Sequence, residues 1–307
     1  EDKIVACRNF ANKLWNASRF VLMNRSGLEI ADILPETLNI EDKWILSKLQ
    51  TLIREVNQNF EQFELGLTAQ KIEDFIWNVL CDWYIELVKT RLQGEEQEKI
   101  RALQVLVYVM KAALKLLHPF MPFITEEIWS ALGAGGSIMV EPYSEFSEAL
   151  VFEQEQKDFS VLVELIGEIR AKRLELGVAV GKKANVYLTS KLDIFEHTTG
   201  FLQRLAFAGE VFVNQTPASK NNVSVITPFV SAYLPLDQLI DIGAERERLS
   251  KELLTTQKEI VFLENKLSNE GFVQKAPAAL IAGQREKLVL TRTKLARLEA
   301  SISELSK

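Results

Sequence analysis

Residues 12–23 read NKLWNASRFVLM, and their spacing decides how the start of the chain folds. Steps of three and four gather Asn12, Lys13, Asn16, Arg19 and the ring of Phe20 on one side of an amphipathic helix. Amides that read base edges, cations for phosphate and a ring to stack on are what recognition of a single-stranded RNA loop requires. The same spacing also describes a bundle helix with an ordinary solvated face, and the twelve residues alone do not separate the two readings.

Working outward, apolar residues recur at helical intervals in 4–24, 41–63, 69–92 and 95–117. Gly27 with Pro35, then Gly66, then Gly94 punctuate the breaks. Long helices with short connections predict an antiparallel bundle. A further short helix follows HPFMPF, with Pro122 near its start, 125–127 in its first turn, and Trp129 and Leu132 facing inward. Its acids suit the dipole of a helix N-terminus, and 133–136 close it.

A mixed region follows. Residues 137–143 read as short and extended, and 152–176 as helical. The stretches 185–190, 211–214 and 222–234 carry strand patterns, and 192–205 has helical spacing. The expectation is a small α+β module of about three antiparallel strands on one or two helices.

The tail carries two heptad stripes. Leu249, Leu253, Thr256, Ile260, Leu263 and Leu267 form one. Ile281, Gln284, Leu288, Thr291, Leu295, Leu298, Ile302 and Leu305 form the other. Gly271 as a helix stop and Pro277 in a first turn predict an antiparallel coiled-coil hairpin. Between 271 and 297 six cations (Lys275, Arg285, Lys287, Arg292, Lys294, Arg297) face one acid, Glu286, a net of +5 on a chain of −6. Such a stripe is either the flanking charge of a coiled coil or an arm laid along a phosphate backbone.

The whole-chain charge argues against non-specific RNA binding by the entire surface, so any contact must use local basic patches. Two cysteines, Cys7 and Cys81, exclude a disulfide scaffold and a cysteine-rich zinc ribbon, and no metal site is expected. Buried free thiols in a reducing compartment fit them, and the cytoplasm is expected. No apolar run reaches membrane-spanning length and no signal peptide opens the chain. A beginning in mid-helix without Met reads as a piece of something longer.

Five stretches carry a resemblance. They are RNFANKLWNASRFVLMN at 8–24, FIWNVLCDWYIELVK at 75–89, HPFMPFITEEIW at 118–129, IGEIRAKRLELGVAVGKKANVYL at 166–188 and NEGFVQKAPAALIAGQREKL at 269–288. Together and in this order they resemble the C-terminal portion of the valyl-tRNA synthetases, class I aminoacyl-tRNA synthetases. The resemblance implies a mainly α chain: an anticodon-binding helical bundle over 1–136, a small linking α+β module over 137–242, and a tRNA-binding coiled-coil arm over 243–307. It implies that the bundle grips the anticodon loop while the arm leans on the outer corner of tRNA(Val). Lys13 and Phe20 match positions that contact and stack on anticodon bases, and Ile85 and Glu86 match positions that close around them. Asn12, Asn16 and Arg19 share the first of these helix faces, and Lys275, Arg285, Lys287, Arg292 and Lys294 would be the arm contacts. Ionised Glu86 only accepts, which suits an exocyclic amine of adenine or cytosine, the last two bases of valine anticodons. Trp15, Trp77 and Trp83 are read as core.

The residues show no catalytic centre of their own. Signatures of HIGH and KMSKS type and a Gly-rich turn after a strand are absent from the sequence. His118 is read as a cap on the last carbonyls of its helix. No cofactor is expected in this segment. ATP with Mg, activation of valine and editing of threonine would belong to N-terminal catalytic and editing domains of the parent enzyme. A monomer is expected. The competing readings are an isoleucyl- or leucyl-type bundle, a coiled-coil scaffold that dimerises and binds no RNA, and a synthetase-like paralogue that charges no tRNA. The coiled-coil ending favours the valyl type over the isoleucyl, whose zinc site two distant cysteines cannot build.

Overall fold

Helix α1 (Asp2–Arg25) buries Phe10, Leu14, Ala17 and Val21, the stripe opposite the polar side chains of 12–20. Gly27, at φ +81°, then takes the left-handed conformation that lets the chain leave the helix. The computed structural model describes residues 2–133, 135–218, 221–240, 242–269 and 277–304. They divide into two compact units, Glu1–Glu164 and Leu165–Lys307, each considered on its own below.

In the first unit α2 (Ile40–Glu61) starts where the Asp42 carboxylate accepts from the Asn39 N–H, satisfying one orphan donor of the helix start. The helix expected over 69–92 is three consecutive pieces. They are α3 (Leu65–Asp74), a π-helical segment (Phe75–Tyr84) and α4 (Ile85–Leu92). It begins earlier than the apolar spacing suggests, so Gly66 lies inside it, and the break falls instead at Phe63, at φ +58°. Helix α5 (Glu96–Leu117) contacts α1, α2, α4 and helix α6 (Pro122–Ala131). With neighbours on several sides it buries eleven of the sixteen positions from Ala102 to Leu117, more than one narrow stripe.

Proline opens α6, where its missing N–H costs nothing. Glu126 and Glu127 therefore fall beyond the first turn, not within it. Glu126 accepts from the Ser137 hydroxyl instead of serving the dipole. Trp129 and Leu132 do face the core. Residues 137–143 are not one continuous extended stretch. They hold a 3₁₀ turn (Ile138–Val140) between extended Ser137 and Glu141, and the Ser137 hydroxyl accepts from the Met139 N–H; an apolar run this short does not distinguish strand from turn. His118 does not cap a carbonyl: its Nδ1 lies 2.7 Å from the Thr125 hydroxyl. The tryptophan reading also needs correction. Trp44 and Trp129 are the buried indoles, whereas Trp15 is 41% exposed and Trp77 and Trp83 are half-buried.

Four carboxylate, phenol and guanidinium groups tie α2 to the segments that follow it. Arg91 Nη1 donates to both Asp42 oxygens at 2.8 Å and to Glu41 at 2.9 Å, and the Tyr84 hydroxyl donates to Asp42 at 2.7 Å. Burial pushes the Glu41 carboxyl up, with Asp42 adding to it against the pull of Arg91. Burial alone would lower the Arg91 guanidinium, yet Asp42 and Glu41 hold it above its ordinary range.

The division between units falls within α7 (Glu153–Glu175), between Glu164 and Leu165. In the second unit a four-stranded sheet runs in the order β2-β1-β4-β3: β1 (Ala184–Ser190), β2 (Ala208–Val213), β3 (Asn222–Ile226) and β4 (Val230–Pro235). It has one strand more than expected and is mixed. The stretch 222–234 folds on itself as an antiparallel hairpin through Thr227 and Pro228, and β1 pairs β2 in parallel. A parallel pair needs a crossover, which α8 (Ile194–His197) and α9 (Thr199–Leu205) supply. Val186, Leu188, Phe195, Leu202 and Ala232 form the core beside Leu165, Ile166 and Ile169 of α7. Arg173, itself buried, donates to the Lys182 carbonyl and anchors the entry to β1.

After α10 (Leu236–Leu239), α11 (Ile242–Ser268) and α12 (Ala278–Glu304) pair as the expected hairpin. Leu249, Thr256, Ile260, Leu263, Thr291 and Leu298 are buried along its seam. Pro277 directly precedes α12, its carbonyl accepting from Leu280 and Ile281. Gly271 lies outside the described residues. No helix among the described residues is long and apolar enough to cross a membrane.

Candidate nucleic-acid interface

The polar side of α1 is met by the π-helical segment and α4. Lys13 Nζ lies 2.6 Å from Asp82 Oδ1 and 3.9 Å from the centre of the Trp77 ring. That ring in turn stacks on Phe10, with centroids 6.5 Å apart. Residues five apart share a face where backbone hydrogen bonds run from i to i+5, so the π-helical turn brings Trp77 and Asp82 to the same lysine. An α-helical reading of the sequence sets them apart, which is why Trp77 is expected in the core and Asp82 does not stand out.

One turn away Lys89 Nζ reaches Glu86 at 2.5 Å and lies 5.9 Å from the Phe20 ring centre. Lys89, another residue the sequence reading passed over, thus links Phe20 on α1 to Glu86 on α4. Asn12, Asn16 and Arg19 are exposed along α1. Ile85 is 6% exposed and packs inward behind Glu86. The structure therefore gathers Lys13, Phe20 and Glu86 in one region, with Ile85 beneath them.

The two ion pairs here are partly solvated, and pairs of this kind are worth no more than about 1 kcal/mol. An incoming base or phosphate can exchange with them at little cost. Cys81 adjoins this pair. Burial, reduced by Lys13 and reinforced by Asp82, pushes its thiol from 9.0 up to about 11. Two cavities of the same unit, of about 460 and 440 Å³, are lined by none of these residues. The larger holds Lys111, Lys115 and Trp129. Among the described residues no cluster of three or more His, Cys, Asp or Glu side chains forms a metal-binding group.

On the hairpin the cations of α12 face acids of α11. Lys287 pairs with Glu259 at 2.7 Å, Arg292 with Glu264 at 2.6 Å and Lys294 with Glu252 at 2.8 Å. The hydrogen bond from Lys287 holds the Glu259 carboxyl below its usual range. Arg285 is exposed, and Lys275 lies outside the described residues. Half of the basic stripe therefore serves hairpin pairing, as flanking coiled-coil charges do.

Two family models match this chain. One, described as the anticodon-binding domain of tRNA ligase, spans residues 42–188. The other, the valyl tRNA synthetase tRNA binding arm, spans 241–306. Valine–tRNA ligases of Clostridium acetobutylicum and Carboxydothermus hydrogenoformans are each 41% identical over 99% of this chain. That of Thermotoga maritima is 39% identical over 98%. The alignments cover 35%, 35% and 34% of those proteins, so the chain spans about a third of the length of the curated relatives it matches. Over almost its whole length the chain is thus similar to one portion of the valyl-tRNA synthetases, and it carries matches to an anticodon-binding domain and a tRNA binding arm.

Proposed function

We propose that this chain recognises tRNA(Val) for a parent enzyme that attaches valine to that tRNA. The α1 face and α4 read the anticodon, and the α11–α12 hairpin lies against the outer corner of the tRNA. The observation that supports this reading best is the pairing of Lys13 with Asp82 and of Lys89 with both Phe20 and Glu86, which joins α1 to the π-helical segment and α4. Phe20 offers a ring to a base, Lys13 a donor to a carbonyl or phosphate, and Glu86 an acceptor to an exocyclic amine. Asn12, Asn16 and Arg19 extend the same face. The functional boundaries fall near residues 136 and 242. ATP with Mg, and the N-terminal catalytic and editing domains that use it, belong to the rest of the parent, which works as a monomer in the cytoplasm.

A valine anticodon stem-loop and one with its anticodon bases exchanged test the reading. Tighter binding of the valine loop supports it, and equal binding contradicts the assignment of α1 and α4. A second reading, a scaffold that dimerises through the hairpin, draws on the exposed Leu254, Val261, Phe262, Val289 and Leu290. Sedimentation equilibrium separates the two, since the tRNA-reading chain runs as a monomer and the scaffold as a dimer.

A further inference from the structure

The small sheet carries aromatic rings where its alternation calls for polar residues. Along β1 Ala184, Val186 and Leu188 are buried, while Asn185 and Tyr187 are half-buried and Thr189 is exposed. Along β4 Ala232 and Leu234 are buried and Tyr233 is half-buried. Tyr187 and Tyr233 thus stand on the face away from the core. The register sets Phe212 of β2 beside Tyr187, and Tyr187 beside Tyr233. Three rings form one row across three adjacent strands. The Tyr187 and Phe212 rings stack with centroids 4.7 Å apart and planes 16° from parallel.

We propose that this row is a stacking platform for unpaired nucleotides of the bound tRNA, an RNA contact separate from the anticodon face and the hairpin. The inference rests on the tRNA-binding reading above. Aromatic rows on an open sheet accept base faces with little regard to sequence, because every base has a π-face. Exposed Lys183 and Lys191 stand immediately before and after β1, placed to meet the phosphates that accompany a stacked base. Glu210, two residues before Phe212, is an acid on this face and limits how closely the backbone approaches there. The sheet belongs to the same compact unit as the hairpin, within a chain whose flanking segments match tRNA-binding families. Half-buried Asn185 and exposed Thr189 share the Tyr187 face of β1, and polar neighbours suit a base edge better than an apolar peptide or a second copy of the chain.

The test compares the wild-type chain with the double variant Tyr187→Leu, Phe212→Leu, which keeps apolar cover but loses the rings. Both are titrated with a full valine tRNA transcript and with the isolated anticodon stem-loop. The variant is expected to bind full tRNA about tenfold more weakly and the stem-loop unchanged. Unchanged affinity for full tRNA, with circular dichroism intact, overturns the platform and leaves the anticodon reading standing. Failure of the wild-type chain to bind either RNA overturns both. Ultraviolet cross-linking of the wild-type chain to the tRNA keeps the proposal testable if the variant does not fold. Cross-linked peptides containing Tyr187, Phe212 or Tyr233 support it, and cross-links confined to α1, α4 and the hairpin overturn it.

Discussion

Lys13 lies over the ring of Trp77 with its ammonium against Asp82, so any RNA group that reaches it must share or displace these contacts. The Phe20 ring has the Lys89 ammonium over it at the longer distance of 5.9 Å. Replacing Phe20 with Ala is expected to weaken binding of the valine anticodon stem-loop by about 1–3 kcal/mol, the worth of one stacked base. Unchanged affinity in a folded variant removes Phe20 from the site. Cys81 reports on the same corner. Its thiol is pushed up to about 11 by burial, so at pH 8 iodoacetamide should modify exposed Cys7 well before Cys81, as peptide mapping will show. The folded chain favours the protonated thiol, while an unfolded chain releases that proton near pH 9. Its contribution to stability therefore falls as pH rises from about 9 towards 11, and pH-dependent denaturation checks the sign. The polar side of α1 was legible from its spacing. The partners that hold it, Trp77, Asp82 and Lys89, were not, because a π-helical turn changes which residues share a face.

Among the elements, α2 and α4 are joined by a buried charge cluster around Arg91, on the same helix as Glu86. Arg91→Met leaves Asp42 and Glu41 buried beside Tyr84 without their counter-ion. A loss of about 3–5 kcal/mol is expected by urea denaturation. Lys157→Met, which breaks only an exposed pair with Glu153, should change little. Equal effects of the two substitutions would show that the cluster does not hold α2 to α4. On the hairpin, changing Arg285, Lys287 and Arg292 to Glu is expected to weaken binding of full tRNA while sparing the stem-loop. Equal losses on both RNAs would count against the hairpin as a separate arm. Restoring the Lys287 pair with Glu259→Lys shows whether a loss comes from the RNA contact or from the hairpin itself. The heptads of α11 and α12 were readable because each stripe residue has a fixed partner face. The parallel β1–β2 pair was not, since strand direction depends on a crossover through α8 and α9 that leaves no mark on either strand. Tryptophan burial was misread for a similar reason: Trp15 and Trp44 both lie at helical spacing, and only the neighbours of α2 decide that Trp44 is enclosed.

For the whole molecule, the sequence order of bundle, sheet and hairpin was legible from periodicity and from the five stretches shared with the synthetase family. The division at Glu164 and Leu165 was not, because it falls inside the unbroken apolar repeat of α7. A chain of net charge −6 holds RNA only through local surfaces, so its affinity should be both salt-sensitive and base-sensitive. The most direct test is equilibrium binding of this chain to a valine tRNA transcript and to one with its anticodon exchanged, at two salt concentrations. The account predicts that the valine anticodon is preferred at both, while affinity for each tRNA falls as salt rises. Equal, salt-sensitive binding of the two tRNAs would contradict it, leaving phosphate attraction in place of an anticodon reader.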